Sequence, residues 1–142
     1  MKKFLRLLCI LSVLTLCNLA DAAKIEVVNA RPSQCQALAP LLADLNTMHF
    51  PSDWTVYVAC DALTWRNILV RSDLVSKTSA AFTDRARKFT IINGMMYTAT
   101  FTFQRYTQKT PQQVLKHELG HIMCDSPSED VADRYADKEM CR

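Results

Sequence analysis

Two stretches, Thr110-Pro111-Gln112-Gln113 and Ser126-Pro127-Ser128-Glu129, share one grammar: a hydroxyl residue, then proline, then glutamine or glutamate three places on. A Ser or Thr N-cap accepts from the third helical N–H, and the Gln or Glu at that position reaches back to the cap. Proline at the first helical position gives up only an N–H that has no partner there. Two such starts in succession predict a helix from 111 to about 123, a turn over roughly 124–126, and a last helix from 127 to about 140. A helical hairpin is therefore the fixed point around which the remaining chain must pack.

Upstream, residues 24–29 (KIEVVN) read as a short strand, and residues 33–48 as a helix whose Leu38, Leu41, Leu42 and Leu45 recur at helical spacing. Residues 54–59 (WTVYVA) alternate like a strand. Residues 61–87 are ambiguous, with a helix near 63–70 followed by a polar segment, SKTSAAFTDRAR, that reads as a loop. Residues 88–106 carry a hairpin pattern: KFTII, then Asn93-Gly94, then the alternating run MMYTATFTFQRY. Asn-Gly accepts the positive φ angles of a tight two-residue turn, so the spacing predicts two antiparallel strands.

The first 23 residues read as a secretory signal peptide. Lys2, Lys3 and Arg6 precede an apolar run over 7–16, and Ala20-Asp21-Ala22 fits a small-x-small cleavage site. Residues 24–142 are then expected to form a single domain of a secreted or periplasmic protein. No other apolar stretch approaches the roughly 20 residues of a membrane span, so no stable membrane insertion is expected after cleavage. The leader holds three of the 17 Lys and Arg and one of the 14 acidic residues, which leaves 14 basic against 13 acidic side chains. That balance gives no support for nucleic-acid binding, which needs a clustered basic surface. Four of the six cysteines remain, Cys35, Cys60, Cys124 and Cys141. In an exported chain they predict two disulfides, with three connectivities open. A Cys124–Cys141 bond is disfavoured on geometry, because a helix over 128–140 rises about 18 Å and would hold its ends beyond bonding distance.

The first helix of the hairpin contains HELGH at 117–121. His117 and His121 are one turn apart and project from the same face, so both imidazoles can bind one zinc ion while Glu118 reaches a water on it. The surrounding VLKHELGHIM is uncharged outside the motif except at Lys116. A catalytic zinc needs a third protein ligand and an open position. Asp125 would lie about 12 Å from His117 along a continued helix, too far to share the ion. Glu129 is better placed, since the turn reverses the chain and Glu129, Ala132, Asp133 and Ala136 fall on one stripe of the returning helix. Asp133 could then accept a hydrogen bond from the second nitrogen of a ligating histidine.

With HELGH followed by Glu129-Asp130-Val131-Ala132-Asp133, the chain resembles the zincin metallopeptidases, in their gluzincin branch, over residues 114–136. The resemblance implies a small zincin-like α+β domain: a twisted, mostly antiparallel sheet packed on the HExxH helix, followed by a C-terminal helix. It also implies an edge strand above the metal that aligns a peptide, with the 88–106 hairpin as its natural source. The expected function is a secreted Zn2+-dependent metallopeptidase acting on peptide or protein substrates, with Glu118 as general base to a zinc-bound water and His117, His121 and Glu129 as ligands. Tyr135 is a candidate donor to the oxyanion, with Tyr97, Tyr106, His49 and Arg134 also in reach of that role. Two alternatives differ in chemistry: a zinc-bearing binding module or inhibitor without hydrolysis, and a cell-wall peptide hydrolase using the same site. Intact Glu118 argues against the first, since ligation alone does not need it.

Overall fold

Alternation over Thr55–Ala59 produces the strand it predicts, and the two faces of that strand separate the two layers of the domain. The computed structural model of the chain describes residues 22–28, 38–71, 80–97 and 108–142. Among them are strands β1 (Lys24–Val28), β2 (Thr55–Ala59), β3 (Ala81–Asp84) and β4 (Phe89–Asn93), and helices α1 (Leu38–Thr47), α2 (Ala62–Arg71), α3 (Pro111–Met123) and α4 (Glu129–Lys138). Val56 and Val58 of β2 join Ile92 of β4 in a core with Leu41 and Leu45 of α1 and Val114, Leu115 and Leu119 of α3. Ala59 and Ile91 face the other way and pack with Trp65 of α2. No described helix is long and apolar enough to cross a membrane.

The domain is α+β as expected, but its sheet is mixed. Among the described residues the strand order is β1-β2-β4-β3, with β1 and β2 parallel, β2 and β4 parallel, and β3 and β4 antiparallel. Among the described strands the expected majority of antiparallel pairs is not found, and the tight two-residue turn expected at Asn93-Gly94 does not form. Gly94–Tyr97 is a 3-10 helix instead, started by the Asn93 side chain, whose Oδ1 accepts from Met95 N at 3.1 Å. Gly94 does not have a positive φ. A Cβ there would lie 3.0 Å from the Ala59 carbonyl oxygen and 3.2 Å from Val58 Cγ1, so the glycine serves close approach to β2. The rest of the expected second strand, 98–106, lies outside the described residues, as do positions 33–37 of the expected first helix.

The antiparallel pair comes from the segment read as a loop. Ala81 opposes Ile92 and Thr83 opposes Thr90. The four-residue connection over 85–88 closes with Arg87 N donating to Asp84 Oδ1 at 2.9 Å and Lys88 at φ 55°.

Helix α3 starts as predicted. Thr110 Oγ1 accepts from Gln113 N at 3.2 Å, and Thr110 N donates to Gln113 Oε1 at 2.8 Å. At its far end Asp125 adopts φ 43°. Asp125 N donates to the Ile122 carbonyl at 3.2 Å and Ser126 N to the His121 carbonyl at 3.1 Å. These are the paired bonds of a Schellman reversal, with aspartate where glycine is commoner. Ser126 is thereby tied to the preceding helix, and the second capping box does not form. The N-cap of α4 is Ser128, without a side-chain cap bond, and Glu129 is the first helical residue. Cys124 and Cys141 are bonded, with Cα atoms 5.3 Å apart, contrary to the geometric expectation. The helix ends at Lys138, and Glu139 at φ 54° turns the following residues off its axis. Cys60 is also disulfide-bonded, to a partner outside the described residues.

Candidate metal centre and its cleft

The close pairing of α3 and α4 depends on Gly120. A Cβ there would lie 2.9 Å from Tyr135 Cβ and 3.0 Å from both the Cα and the carbonyl oxygen of Ala132. With the helices in contact, His117 and His121 from α3 and Glu129 from the start of α4 converge as a group able to hold a metal ion. His117 Nε2 lies 3.2 Å from His121 Nε2 and 3.0 Å from Glu129 Oε2, and His121 Nε2 lies 3.7 Å from Glu129 Oε1. Tetrahedral ligands at zinc bond lengths of about 2.0–2.1 Å would stand roughly 3.3 Å apart, so the three donors already sit near the required spacing.

The outer nitrogens decide the tautomers. His117 Nδ1 lies 2.6 Å from Asp133 Oδ1, and His121 Nδ1 lies 2.8 Å from the Ser126 carbonyl oxygen. Both oxygens only accept, so each Nδ1 donates a proton to its oxygen, which leaves the Nε2 atoms as the nitrogens that a metal ion would take. A cation among the two Nε2 atoms and the Glu129 carboxylate would satisfy all three at once. Asp133 has a second partner in the Lys109 ammonium. Burial alone would raise the Asp133 carboxyl, but the hydrogen bonds from Lys109 and His117 outweigh it and hold it below the usual carboxylate range.

Glu118 is 6% exposed, on the wall of a cleft of about 480 Å³ that it shares with His117, His121, Glu129 and the β3 residues Ala81, Phe82 and Thr83. Thr83 Oγ1 donates to Glu118 Oε2 at 2.6 Å. Burial pushes the Glu118 carboxyl above its ordinary range, opposed by the Thr83 hydrogen bond and the neighbouring imidazoles. Arg85 and Lys109 line the same cleft, and Arg85 pairs with Asp125.

His117, Glu118, His121, Glu129 and Asp133 are thus brought together where their spacing placed them. Tyr135 is not. Its side chain packs against the core beside Gly120, away from the cleft lining, because the tight helix crossing occupies the face from which it projects. His49 lies on a separate apolar depression with Ala23, Ile25, Leu45 and Phe50. Arg134 is exposed, and the side chains of Tyr97 and Tyr106 lie outside those described. Thr83, Arg85 and Lys109 carried no motif. Only recognition of β3 as a strand would have drawn attention to the first two. No family model, curated protein or solved structure matches the chain.

Proposed function

We propose that the protein is a secreted zinc-dependent metallopeptidase that hydrolyses peptide bonds, with Glu118 as its general base. The observation that carries this reading is the convergence of two imidazole Nε2 atoms and the Glu129 carboxylate at 3.0 to 3.7 Å beside a buried carboxylate on one cleft. The donor set favours zinc, since magnesium and calcium prefer all-oxygen sites while two imidazoles and one carboxylate leave a fourth, open position on zinc. When bound, zinc supplies a Lewis acid for the scissile carbonyl and lowers the pKa of a coordinated water toward about 7.

The chain's own residues do the remainder. Asp133 and the Ser126 carbonyl hold the two imidazoles in the tautomer that presents Nε2. Glu118 takes the proton of the attacking water and returns it to the leaving amine. Strand β3 walls the cleft beside Glu118, which supports a role in aligning an extended peptide next to the base. The test is zinc content and peptide hydrolysis of wild type, Glu129→Ala and Glu118→Gln. Near-stoichiometric zinc is expected in wild type and in Glu118→Gln, with a marked loss in Glu129→Ala. Glu118→Gln should lose roughly 10²- to 10⁴-fold in kcat. A wild type that takes up no zinc when supplied, or a Glu118→Gln protein with full turnover, would sink the reading.

A further inference from the structure

We propose that Thr83 is a positioning residue for Glu118, the last link of a hydrogen-bond chain that begins at the buried Trp54 indole and fixes which carboxylate oxygen meets the reacting atoms. This rests on the hydrolytic reading above and deepens it. The chain is continuous. Trp54 Nε1 lies 3.1 Å from Thr90 Oγ1, Thr90 Oγ1 lies 3.0 Å from Thr83 Oγ1, and Thr83 Oγ1 lies 2.6 Å from Glu118 Oε2. Thr90 is fully buried, Trp54 and Glu118 are each 6% exposed, and Thr83 between them is half-buried at the cleft wall. The two threonines meet because they stand opposite each other on antiparallel β3 and β4.

Its direction follows from the chemistry of its two ends. An indole N–H only donates, an ionised carboxylate only accepts, and each hydroxyl owns one proton. Trp54 therefore donates to Thr90, Thr90 to Thr83, and Thr83 to Glu118. Reversing either hydroxyl would leave Oε2 without its donor or turn a hydroxyl proton against the indole N–H. Glu118 Oε1 has no hydrogen-bond partner among the described residues, and no buried side-chain oxygen there lacks one. Oε1 is therefore the oxygen open to the cleft. A free carboxylate exchanges its oxygens by rotation about a broad terminal torsion; with Oε2 held, that exchange stops. The water O–H bond then breaks as an Oε1–H bond forms, and that bond breaks in turn as the leaving amine gains its proton.

The experiment compares Thr83→Val and Thr83→Ser with wild type. Valine keeps the branched shape and strand propensity without the donor, while serine keeps the hydroxyl. The ¹H–¹⁵N resonance of the Trp54 indole, assigned by its loss in Trp54→Phe, follows the chain without any turnover, in zinc-loaded and metal-free protein alike. Thr83→Val should displace that resonance, because Thr90 loses its acceptor. It should keep wild-type zinc content and lose roughly 10- to 100-fold in kcat, with KM within about twofold. Thr83→Ser should return both readouts toward wild type. An unmoved indole resonance or an undiminished kcat in Thr83→Val overturns the inference, as does a loss that tracks zinc content and that serine does not repair. If the valine protein does not fold, Thr90→Val takes its place: lowered kcat supports the chain, and unchanged kcat overturns it. Failure of the hydrolytic reading itself looks different. A displaced indole resonance with no peptide hydrolysis in wild type removes that reading and the catalytic use of the chain, whereas hydrolysis with an unmoved resonance removes only the chain.

Discussion

Gly120 sits against Ala132 and Tyr135 of α4, and the atoms an added methyl would meet are mostly backbone. Alanine would gain about 1 kcal/mol in helix propensity, but it cannot be accommodated without moving the helices, and overpacking of this kind costs about 1–3 kcal/mol. We expect Gly120→Ala to be net destabilising in urea unfolding and to weaken zinc binding, because Glu129 reaches His117 and His121 only across that crossing. A neutral or stabilising result would show that the helices can separate freely. At this scale the group able to hold a metal ion was legible in the sequence because the imidazoles are related by one helical turn and Glu129 and Asp133 by one turn of the next helix. Thr83 was not legible. It lies 35 residues from Glu118, and nothing in a threonine on a polar stretch points to a partner that distant. Tyr135 fails for a related reason, since helical spacing says which face a residue shares but not which face the neighbouring helix covers.

Element by element, β1, β2 and β4 and the helices α3 and α4 form within a few residues of their expected bounds, whereas the alternating run over 95–106 begins as a 3-10 helix and the errors gather at chain reversals. The four-residue turn over 85–88 depends on Asp84 accepting from Arg87 N and on Lys88 taking a left-handed conformation, neither of which a turn dipeptide announces. Asn93-Gly94 announced a turn and instead supplies a helix start and a close approach. The doubted bond between Cys124 and Cys141 likewise turns on Glu139, whose left-handed conformation ends α4. It closes a segment of 17 residues, for which loop-closure entropy predicts about 3 kcal/mol of stabilisation. The double variant Cys124→Ser/Cys141→Ser should therefore unfold at lower urea, by about that amount at constant m-value. A change of under about 0.5 kcal/mol would mean that the helical hairpin is held by packing alone.

For the whole molecule, a ligand that binds only the folded state stabilises it by mass action. At a free zinc concentration 100 times its Kd the gain is about 2.7 kcal/mol, and for a domain of this size the Tm should rise on the order of 10 °C. A chelator should reverse the rise, and Glu129→Ala should show little of it. Equal shifts in both proteins would place the binding elsewhere. The Schellman reversal at Asp125 bears on the order of events during folding. By turning α3 straight into α4, it keeps all three donors within a segment of low contact order, whereas the brace on Glu118 must wait for β3 and β4 to pair with their faces toward α3. Local helical contacts form in microseconds and sheet pairing more slowly, so the three candidate donors can come together before Thr83 reaches Glu118, and under the function proposed above a cation would be held before the base is aligned.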